Sequence, residues 1–569
     1  MRRRIAGCML LALALIAACS DDASPAATTL ADLIFVGGDI ITMTDAEPRA
    51  EALAVKDGRI LAVGDRALVE KHKGGATRVV DLGDRTLCPA FIDCHSHFSN
   101  ALQVVNWVNV SAPPVGGIED IPGIVAALKK HVDERKPGKG EWIIGYGLDS
   151  GLLKEGRDPT VDDLDPAFPD NPVMLIHVSN HGAVLNSKGL AKFKIDASTK
   201  TPPGGIIVRK PGGNEPAGLL METAFLPLFM EMPKPSEEEL LSRLGAVQTE
   251  YAKNGYATAQ EGATVLADLD LLRKAAAQGK LLIDVVSYVM ITDAVKVISD
   301  KNYTFGEYSG RFRLAGVKNF IDGSPQGRTA YFTKAYLTGG PADQKNWRGE
   351  PTMTPGMFNK FIKLTLDAGV QVSVHANGDA AIDMVLAAFK ECGVTREQDL
   401  RPIVIHSQFV RPEQLDAYVE YGVVPSFFTN HAFFWGDAHI ENLGKKRASF
   451  LSPLAAAKQK GLRFTNHTDY TVTPLDPMMT IWTAVTRKTR TGVVLGPEQR
   501  VSAMDALKAL TVNAAYQYRE EKTKGTLELG KLADLVILSA NPTTVEPDAI
   551  RNITVVETFK DGKSIYTAK

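Results

Sequence analysis

Cysteine is scarce, five in 569 residues, and two of the five, Cys8 and Cys19, lie within the first twenty positions. The other three, Cys88, Cys94 and Cys392, are odd in number and form no CxxC pair, which argues against a disulfide framework. An excess of charge of either sign is also missing: 64 basic residues face 66 acidic ones, a formal −2. No basic stripe stands out, so nucleic acid is not an expected partner. Beyond the N-terminus no apolar run reaches the length of a membrane span. What is present is 44% hydrophobic and 23% charged residues, ordinary for a globular chain and against long disorder. A chain of this length can bury a large core without disulfides.

The N-terminus stands apart. Arg2, Arg3 and Arg4 precede an uncharged, mostly apolar run over 5–18, short for a bilayer but suited to the core of a secretory signal. Ile16-Ala17-Ala18-Cys19 then leads into Ser20-Asp21-Asp22-Ala23-Ser24-Pro25. Small residues before a cysteine and a polar stretch after it resemble a bacterial lipoprotein signal. The resemblance implies removal of residues 1–18, a lipid anchor on Cys19 and a linker over 19–31. Ser20 after the anchor points to the outer membrane of the bacterial cell envelope, with the protein facing the periplasm. An ordinary signal peptide cleaved near Ala18 is the alternative. Both export the chain.

Residues 32–87 read as short strands and turns, with apolar runs at 33–36, 52–55 and 60–63 broken by Gly37-Gly38-Asp39, by Asp57-Gly58 and by Gly64. Such punctuation signals hairpins. Residues 521–569 repeat the style, with apolar runs at 535–538 and 553–559 and a turn at Asp561-Gly562. The two segments are expected to form one small β-sandwich built from both chain ends; two separate β caps would read alike. Between them, over 88–520, apolar runs alternate with helical stretches. Eight candidate strands fall at 87–94, 255–261, 283–290, 312–320, 370–375, 402–406, 422–428 and 462–468. The pattern predicts an α/β fold, a (β/α)8 TIM barrel with its chemistry at the C-terminal strand ends. The gap of about 100–250 exceeds one crossover. It holds an insertion, rich in Pro and Gly around 201–218, that shapes the pocket.

Chemistry enters at Phe91-Ile92-Asp93-Cys94-His95-Ser96-His97. Residues i and i+2 of a strand point the same way, so His95 and His97 share a face suited to a divalent metal, and Cys94 points away. His375 and His406 end their candidate strands, Asp469 follows the last one, and Lys318 lies near the end of the fourth. One histidine after an apolar run is commonly packed. Four histidines and an aspartate at the same end of separate candidate strands point to a site. His467 shares parity with Asp469, so it enters the pocket or competes as a ligand. After the seventh strand, His431, Trp435 and His439 sit in an aromatic cluster suited to an apolar or aromatic acyl or amine group. A packed loop with exposed histidines is the alternative. His181 offers a polar contact from the insertion, and Trp142, Tyr146 and Asp149 are weaker pocket candidates.

Taken together, the HxH, the lysine, the two later histidines and the aspartate resemble the amidohydrolase superfamily. The closer resemblance is to its branch containing N-substituted formamide deformylases. Pro89-Ala90-Phe91-Ile92-Asp93, Asp170-Asn171-Pro172-Val173, His181 through Asn186-Ser187, Asp322-Gly323-Ser324 with Thr329-Ala330, and Gly530-Lys531-Leu532-Ala533-Asp534-Leu535 support it, over essentially the whole exported chain. The resemblance implies two divalent metal ions, zinc by preference, bridged by a CO2-derived carbamate on Lys318. His95, His97, Lys318 and Asp469 would hold the more buried ion, and Lys318, His375 and His406 the other. A metal-bridging hydroxide would attack, with Asp469 as the proton shuttle. Departures are Ile405-His406, where relatives commonly place Glu-His, and Asn466-His467-Thr468-Asp469, where many show Gly-Ser-Asp.

The implied activity is that of a hydrolase acting on carbon–nitrogen bonds other than peptide bonds, with a small amide-type substrate. His181, His431, Trp435 and His467 are its candidate substrate contacts. A deaminase or cyclic-amide hydrolase on the same scaffold stays open, and so does a binding lipoprotein that has lost catalysis. Membrane contact is expected only through Cys19, and a homodimer is the default assembly.

Overall fold

In a computed structural model the chain is described over residues 29–113, 115–232, 235–341 and 344–569. The expected leader and the proposed anchor Cys19 lie outside the described residues.

The centre is a curled parallel sheet of eight strands: β1 (Phe91–Ile92), β2 (Tyr256–Thr264), β3 (Asp284–Met290), β4 (Phe312–Phe320), β5 (Gln371–Ala376), β6 (Ile403–His406), β7 (Val424–Phe427) and β8 (Thr465–Asn466). Each pairs with its sequence neighbour, and Tyr308–Ser309 adds an antiparallel bridge on β4. β6 and β7 are buried at every position, as parallel strands covered on both faces should be. Helices such as Pro412–Tyr421 cover the outside. That helix opens on Pro412, stops at Gly422 in the left-handed region (φ 64°), and buries Leu415, Tyr418 and Tyr421. β1 and β8 do not pair as strands, but the segments leaving them do. Asp469 N–H donates to the His95 carbonyl (3.2 Å) and His97 N–H to that of Tyr470 (2.6 Å). The expected (β/α)8 barrel is consistent with this sheet.

Two expected strands come out shorter. The run 87–94 divides at Ala90: Thr86–Pro89 pairs with Leu535–Leu538 in an outer sheet, and only Phe91–Ile92 joins β2. The chain crosses within one residue because Ala90 N–H goes to the Asp534 carbonyl and Phe91 N–H to that of Gly255. The run 462–468 keeps strand pairing only at Thr465–Asn466, before the backbone turns to positive φ at Asp469.

The outer sheet has eight strands from both chain ends, with Thr86–Pro89 as the seam between Leu33–Ile41 and Leu535–Leu538. Phe35 and Phe559 meet edge to face at 5.4 Å although two strands separate theirs. Across a flat sheet they would stand about 14 Å apart, so the sheet bends around its own core. Asp57-Gly58 and Asp561-Gly562 have both turn residues at positive φ, as two-residue hairpins require. A Cβ on Gly58 would come 3.0 Å from the Asp561 carbonyl oxygen, so the two hairpin tips pack closely.

The insertion builds a six-stranded sheet whose central strands are Gly182–Leu185, Val173–His177 and Ile143–Leu148, backed by the helix Ile121–Arg135. It has its own core around Leu128, Leu164 and Leu175. At the N-terminal end of the parallel sheet, a buried ionic junction joins it to the outer sheet. Asp284 binds Lys524 (2.6 Å) and Lys560 (2.7 Å), Lys560 binds Asp534 (2.8 Å), and Glu520 binds Lys524 and Arg313 (2.7 Å each).

Candidate metal centre

Strand register brings the expected ligands together. Lys318 on β4 lies beside Met290, His375 on β5 beside Phe320, and His406, the last residue of β6, beside Ala376 and Phe427. His95 and His97 leave β1 where that strand meets the segment carrying Asp469. All six side chains therefore stand at the C-terminal end of the sheet. His406 (φ 71°) and Asp469 (φ 52°) hold left-handed backbone that non-glycine residues rarely adopt, at a cost of order 1–3 kcal/mol each.

One ligand atom each from His95, His406 and Asp469 falls within 4.8 Å of the other two. The Asp469 carboxylate lies 3.2 Å from His97 Nε2, 3.4 Å from His95 Nε2 and 3.9 Å from His406 Nε2. Lys318 Nζ is 3.2 Å from His95 Nε2, and His375 Nδ1 is 3.1 Å from His406 Nε2. Basic nitrogens thus face one another around the Asp469 carboxylate, and His375 Nε2 also lies 3.5 Å from Asp322. Burial holds His95 and His406 far below the ordinary histidine value and takes His375 to about 3. Burial also lowers Lys318 to about 8, against the opposing pull of Asp469 and Glu261. For Asp469 burial works the other way, but the hydrogen bond with His97 and the nearby imidazoles outweigh it and keep the carboxyl well below the usual range. Neutral imidazoles and an ionised carboxylate at this spacing fit a divalent ion.

The supporting residues fix these groups. Gln260 Nε2 donates to the Cys94 carbonyl (3.0 Å) and to Tyr518 (2.8 Å), so Gln260 Oε1 must accept from His95 Nδ1 (2.6 Å). The His95 proton is therefore on Nδ1, and Nε2 keeps its lone pair toward Lys318 and Asp469. Gly262 leaves room for that ring: a Cβ there would stand 2.5 Å from His95 Cε1. Asp93 accepts from the His95 and Gln260 N–H groups and from Ser96, and burial raises it to about 6. Asp322 accepts three backbone N–H groups, of Tyr331, Asn377 and Gly378, yet burial still takes it to about 7. Asn377 holds His375 Nε2 at 2.9 Å.

The remaining candidates divide. His181 meets Glu222 at 3.1 Å and lines the small pocket over His375 and His406. Burial alone would lower its basicity, but Glu222 outweighs it and raises it. His431 lines the same pocket, and Trp435 lines a larger cavity beside it together with Tyr146 and Asp149. Trp142 does not join them: it packs on Phe193 at 5.6 Å in a core of the insertion. His467 is 1% exposed, lies between His95, His406 and Phe428, and has no hydrogen-bond partner at either ring nitrogen among the described residues. Cys94 turns away as parity predicts, with Sγ directed at the Ala509 carbonyl.

The alternative of a packed loop with exposed histidines falls: the stretch after the seventh strand is a helix, Asn430–Leu443, in which His431, Trp435 and His439 recur every four residues on one buried face. His439 is fully buried and stacks on His431, bonded Nδ1 to Nε2 at 3.1 Å. Gln260, Asp93, Asp322, Asn377 and Glu222 received no role from the sequence, although Asp93 and Asp322 stand in the quoted motifs and Gln260 shows as a polar residue inside the buried strand β2.

Residues 78–566 match the amidohydrolase family. The N-substituted formamide deformylase of Arthrobacter pascens is 25% identical over 562 residues, covering 95% of this chain and 99% of that one. The Arabidopsis thaliana protein LONG AFTER FAR-RED 3 is 30% identical over 569 residues, covering 95% and 93%. Among solved structures, an uncharacterized metal-dependent hydrolase from Pyrococcus horikoshii shares the fold, with a TM-score of 0.71 at 24% identity over 91% of this chain and 99% of its own.

Proposed function

Because the chain belongs to the amidohydrolase family, we propose that it is an exported hydrolase that splits an amide-type carbon–nitrogen bond. Water and the amide give a carboxylic acid and an amine. The observation that carries this reading is the meeting of His95, His406 and Asp469 beside Lys318 at one end of the parallel sheet.

His95, His97, Lys318 and Asp469 would hold one divalent ion, and Lys318, His375 and His406 a second; nitrogen and carboxylate donors favour zinc. When bound, such ions supply a Lewis acid for the carbonyl and lower the pKa of water toward neutrality. Lys318, held near 8, has a neutral fraction at neutral pH that can add CO2, forming an N-carboxylate and releasing a proton. Asp469 accepts a proton from the attacking water and delivers it to the nitrogen as the C–N bond breaks and the electron pair stays with the amine. His181 and His431 line the pocket where the acyl group would sit.

Lys318→Ala tests the centre. Bound metal should fall from about two per chain toward one or none, and amide hydrolysis should be lost. Two retained metals with full turnover would overturn the bridging lysine. The compact trio of His95, His406 and Asp469 also fits a single ion, and metal content of the native protein separates the two readings. A metal-loaded protein inert toward N-formyl, N-acetyl and longer N-acyl amides would sink the hydrolase reading.

On the same reading the parallel sheet is a (β/α)8 barrel within 88–520, and residues 32–87 with 521–569 form a β-sandwich; an open sheet in either place in a crystal structure would correct this. The lipid anchor is Cys19, in the outer membrane facing the periplasm. Cys19→Ser should then abolish labelling by radioactive palmitate, and unchanged labelling would refute the anchor.

A further inference from the structure

His431 and His439 lie on the helix Asn430–Leu443 and share one hydrogen bond, between His431 Nδ1 and His439 Nε2 at 3.1 Å. His439 is fully buried beside the Phe409 ring (5.4 Å), and its Nδ1 has no hydrogen-bond partner among the described residues. His431 lines the pocket over His375, His406 and Asp469, with its ring held against Phe428 (4.6 Å) and Trp435 (4.4 Å).

One proton lies between the two bonded nitrogens, and its owner decides the rest. If His431 Nδ1 carried it, His439 Nε2 would accept, and the one N–H that every imidazole keeps would fall on His439 Nδ1. That would be a buried donor without a partner, a rare and costly arrangement. If His439 Nε2 carries the proton, His439 Nδ1 is a bare lone pair and His431 Nδ1 accepts. His431 then keeps its own N–H at Nε2, the nitrogen left to the pocket. Burial holds both rings far below the ordinary histidine value, His439 at about 3, so neither takes a second proton near neutral pH. His181, in the same wall, differs: against burial, Glu222 favours its charged form.

We propose that His431 Nε2–H is a fixed donor for the carbonyl oxygen of the substrate, and that His439 is the positioning residue that keeps the proton on that nitrogen. The pocket has only about 30 Å³, room for one or two water-sized groups, so an oxygen held there lies against its walls. As water adds to the carbonyl carbon, the π pair of the C=O bond moves onto that oxygen and the hydrogen bond from His431 strengthens. The pair returns to the carbon–oxygen bond as the C–N bond breaks, and the amine leaves with its electron pair and the proton from Asp469. A donor already aimed at the oxygen needs no reorganisation at that moment. With Nδ1 engaged by His439 and Nε2 protonated, His431 neither takes a proton from the attacking water nor holds a metal ion. The role of the oxygen rests on the amide hydrolysis proposed above; the direction of the N–H does not.

NMR of the zinc-loaded protein with 15N-labelled histidine reads the tautomers, the two rings being assigned by the signals lost in His431→Gln and His439→Leu. Protons on Nε2 of both rings are expected at neutral pH, and a proton on His431 Nδ1 would overturn the proposal. Turnover of 4-nitroacetanilide reads the donor. Loss of one such donor costs about 10²- to 10³-fold in kcat, so His431→Leu should lose that much with KM changed far less. His431→Gln keeps an N–H near the position of Nε2 and should recover about tenfold of the loss. His439→Leu frees the His431 ring and should lower kcat by about tenfold in the wild type, with no further loss in His431→Leu, because residues acting as one unit are not additive. Equal losses in the Leu and Gln variants at 431, or independent losses at 431 and 439, would reduce both residues to packing and overturn the proposal. Calorimetric binding of methylphosphonate, a tetrahedral oxyanion, needs no turnover, and its affinity should fall by about tenfold or more in His431→Leu. If that fall is seen but no amide is hydrolysed, the donor stands and the hydrolase reading fails. Unchanged affinity would overturn the donor whether or not amides are hydrolysed.

Discussion

Two clusters of buried titratable groups stand at opposite ends of the parallel sheet. At the N-terminal end, Asp284, Lys524, Lys560, Asp534, Glu520 and Arg313 form a chain in which every charge meets an opposite one at 2.6–2.8 Å. At the C-terminal end, imidazoles face imidazoles and an amine around Asp469, and His406 Nδ1 and both His467 nitrogens have no hydrogen-bond partner among the described residues. Both clusters are buried, so burial does not distinguish them. Pairing does. A cluster whose charges cancel is complete as a junction between two sheets. One with surplus lone pairs is completed by a cation or a substrate, because buried polar groups left alone are costly.

The largest break in this contrast should come from Asp469→Asn. It removes the carboxylate that meets His95, His97 and His406 and the group proposed to move the proton. General acid–base groups contribute about 10²- to 10⁴-fold, and a lost ligand adds to that, so kcat at saturating zinc should fall by about 10⁴. A fall of less than tenfold would take the proton shuttle away from Asp469.

Lys560→Met strikes the other end. Removing one partner of a buried pair costs about 3–5 kcal/mol, to be read as a shift in chemical denaturation. Metal per folded chain should not change. Parallel loss of metal and stability would show that the ends are not independent. The pH dependence sharpens the comparison. Burial opposes the Asp284 charge, but Lys524 and Lys560 outweigh it and hold this carboxyl below its ordinary value. A depressed folded pKa gives stability that is present above the unfolded carboxylate value, about 3.9, and is lost as pH falls through the folded one. The stability gap between wild type and Asp284→Asn should therefore be full at pH 7 and close progressively below about pH 4. A gap that closes between pH 7 and 5 instead would show that another group governs it.

The legible parts of the molecule are those that follow a period. Alternation over 91–97 put His95 and His97 on one face and Cys94 on the other, although the strand itself ends at Ile92, and the apolar runs ending in His375 and His406 located two strand ends. The turn pairs Asp57-Gly58 and Asp561-Gly562 marked hairpins by local geometry alone. What depends on register between distant segments was not legible. Gln260 reaches His95 across 165 positions, and Asp322, visible only as part of a motif, receives N–H groups from two separate segments, so no local pattern announces either contact. The helix Asn430–Leu443 was missed for a different reason. Its four-residue recurrence was present in His431, Trp435 and His439, but Thr429, Asn430 and Gly436 are weak helix formers, and tertiary burial overrides that preference. The division of the run 87–94 was invisible because both halves are apolar strands and differ only in the partner they meet.

The smallest effect expected comes from a residue that touches no metal and no substrate. In Gln260→Leu the carbonyl that receives the His95 Nδ1 proton is lost, while the volume at the site is nearly kept. His95 can then shift its proton to Nε2, which removes the lone pair facing Lys318 and Asp469. Outer partners of metal-bound histidines typically contribute 10- to 100-fold to affinity. Zinc affinity, measured by competition with a chelator, should fall within that range, with the unfolding transition moved far less than in Lys560→Met. Gln260→Glu keeps an acceptor for Nδ1 but gives up the donation to Cys94 and Tyr518, so it should recover part of the affinity and not all of it. If Leu and Glu weaken zinc equally, packing of β2 rather than the histidine tautomer governs the site. If neither weakens it, His95 is not held in its ligand form by Gln260, and the contrast between the paired and unpaired ends would rest on Asp469 alone.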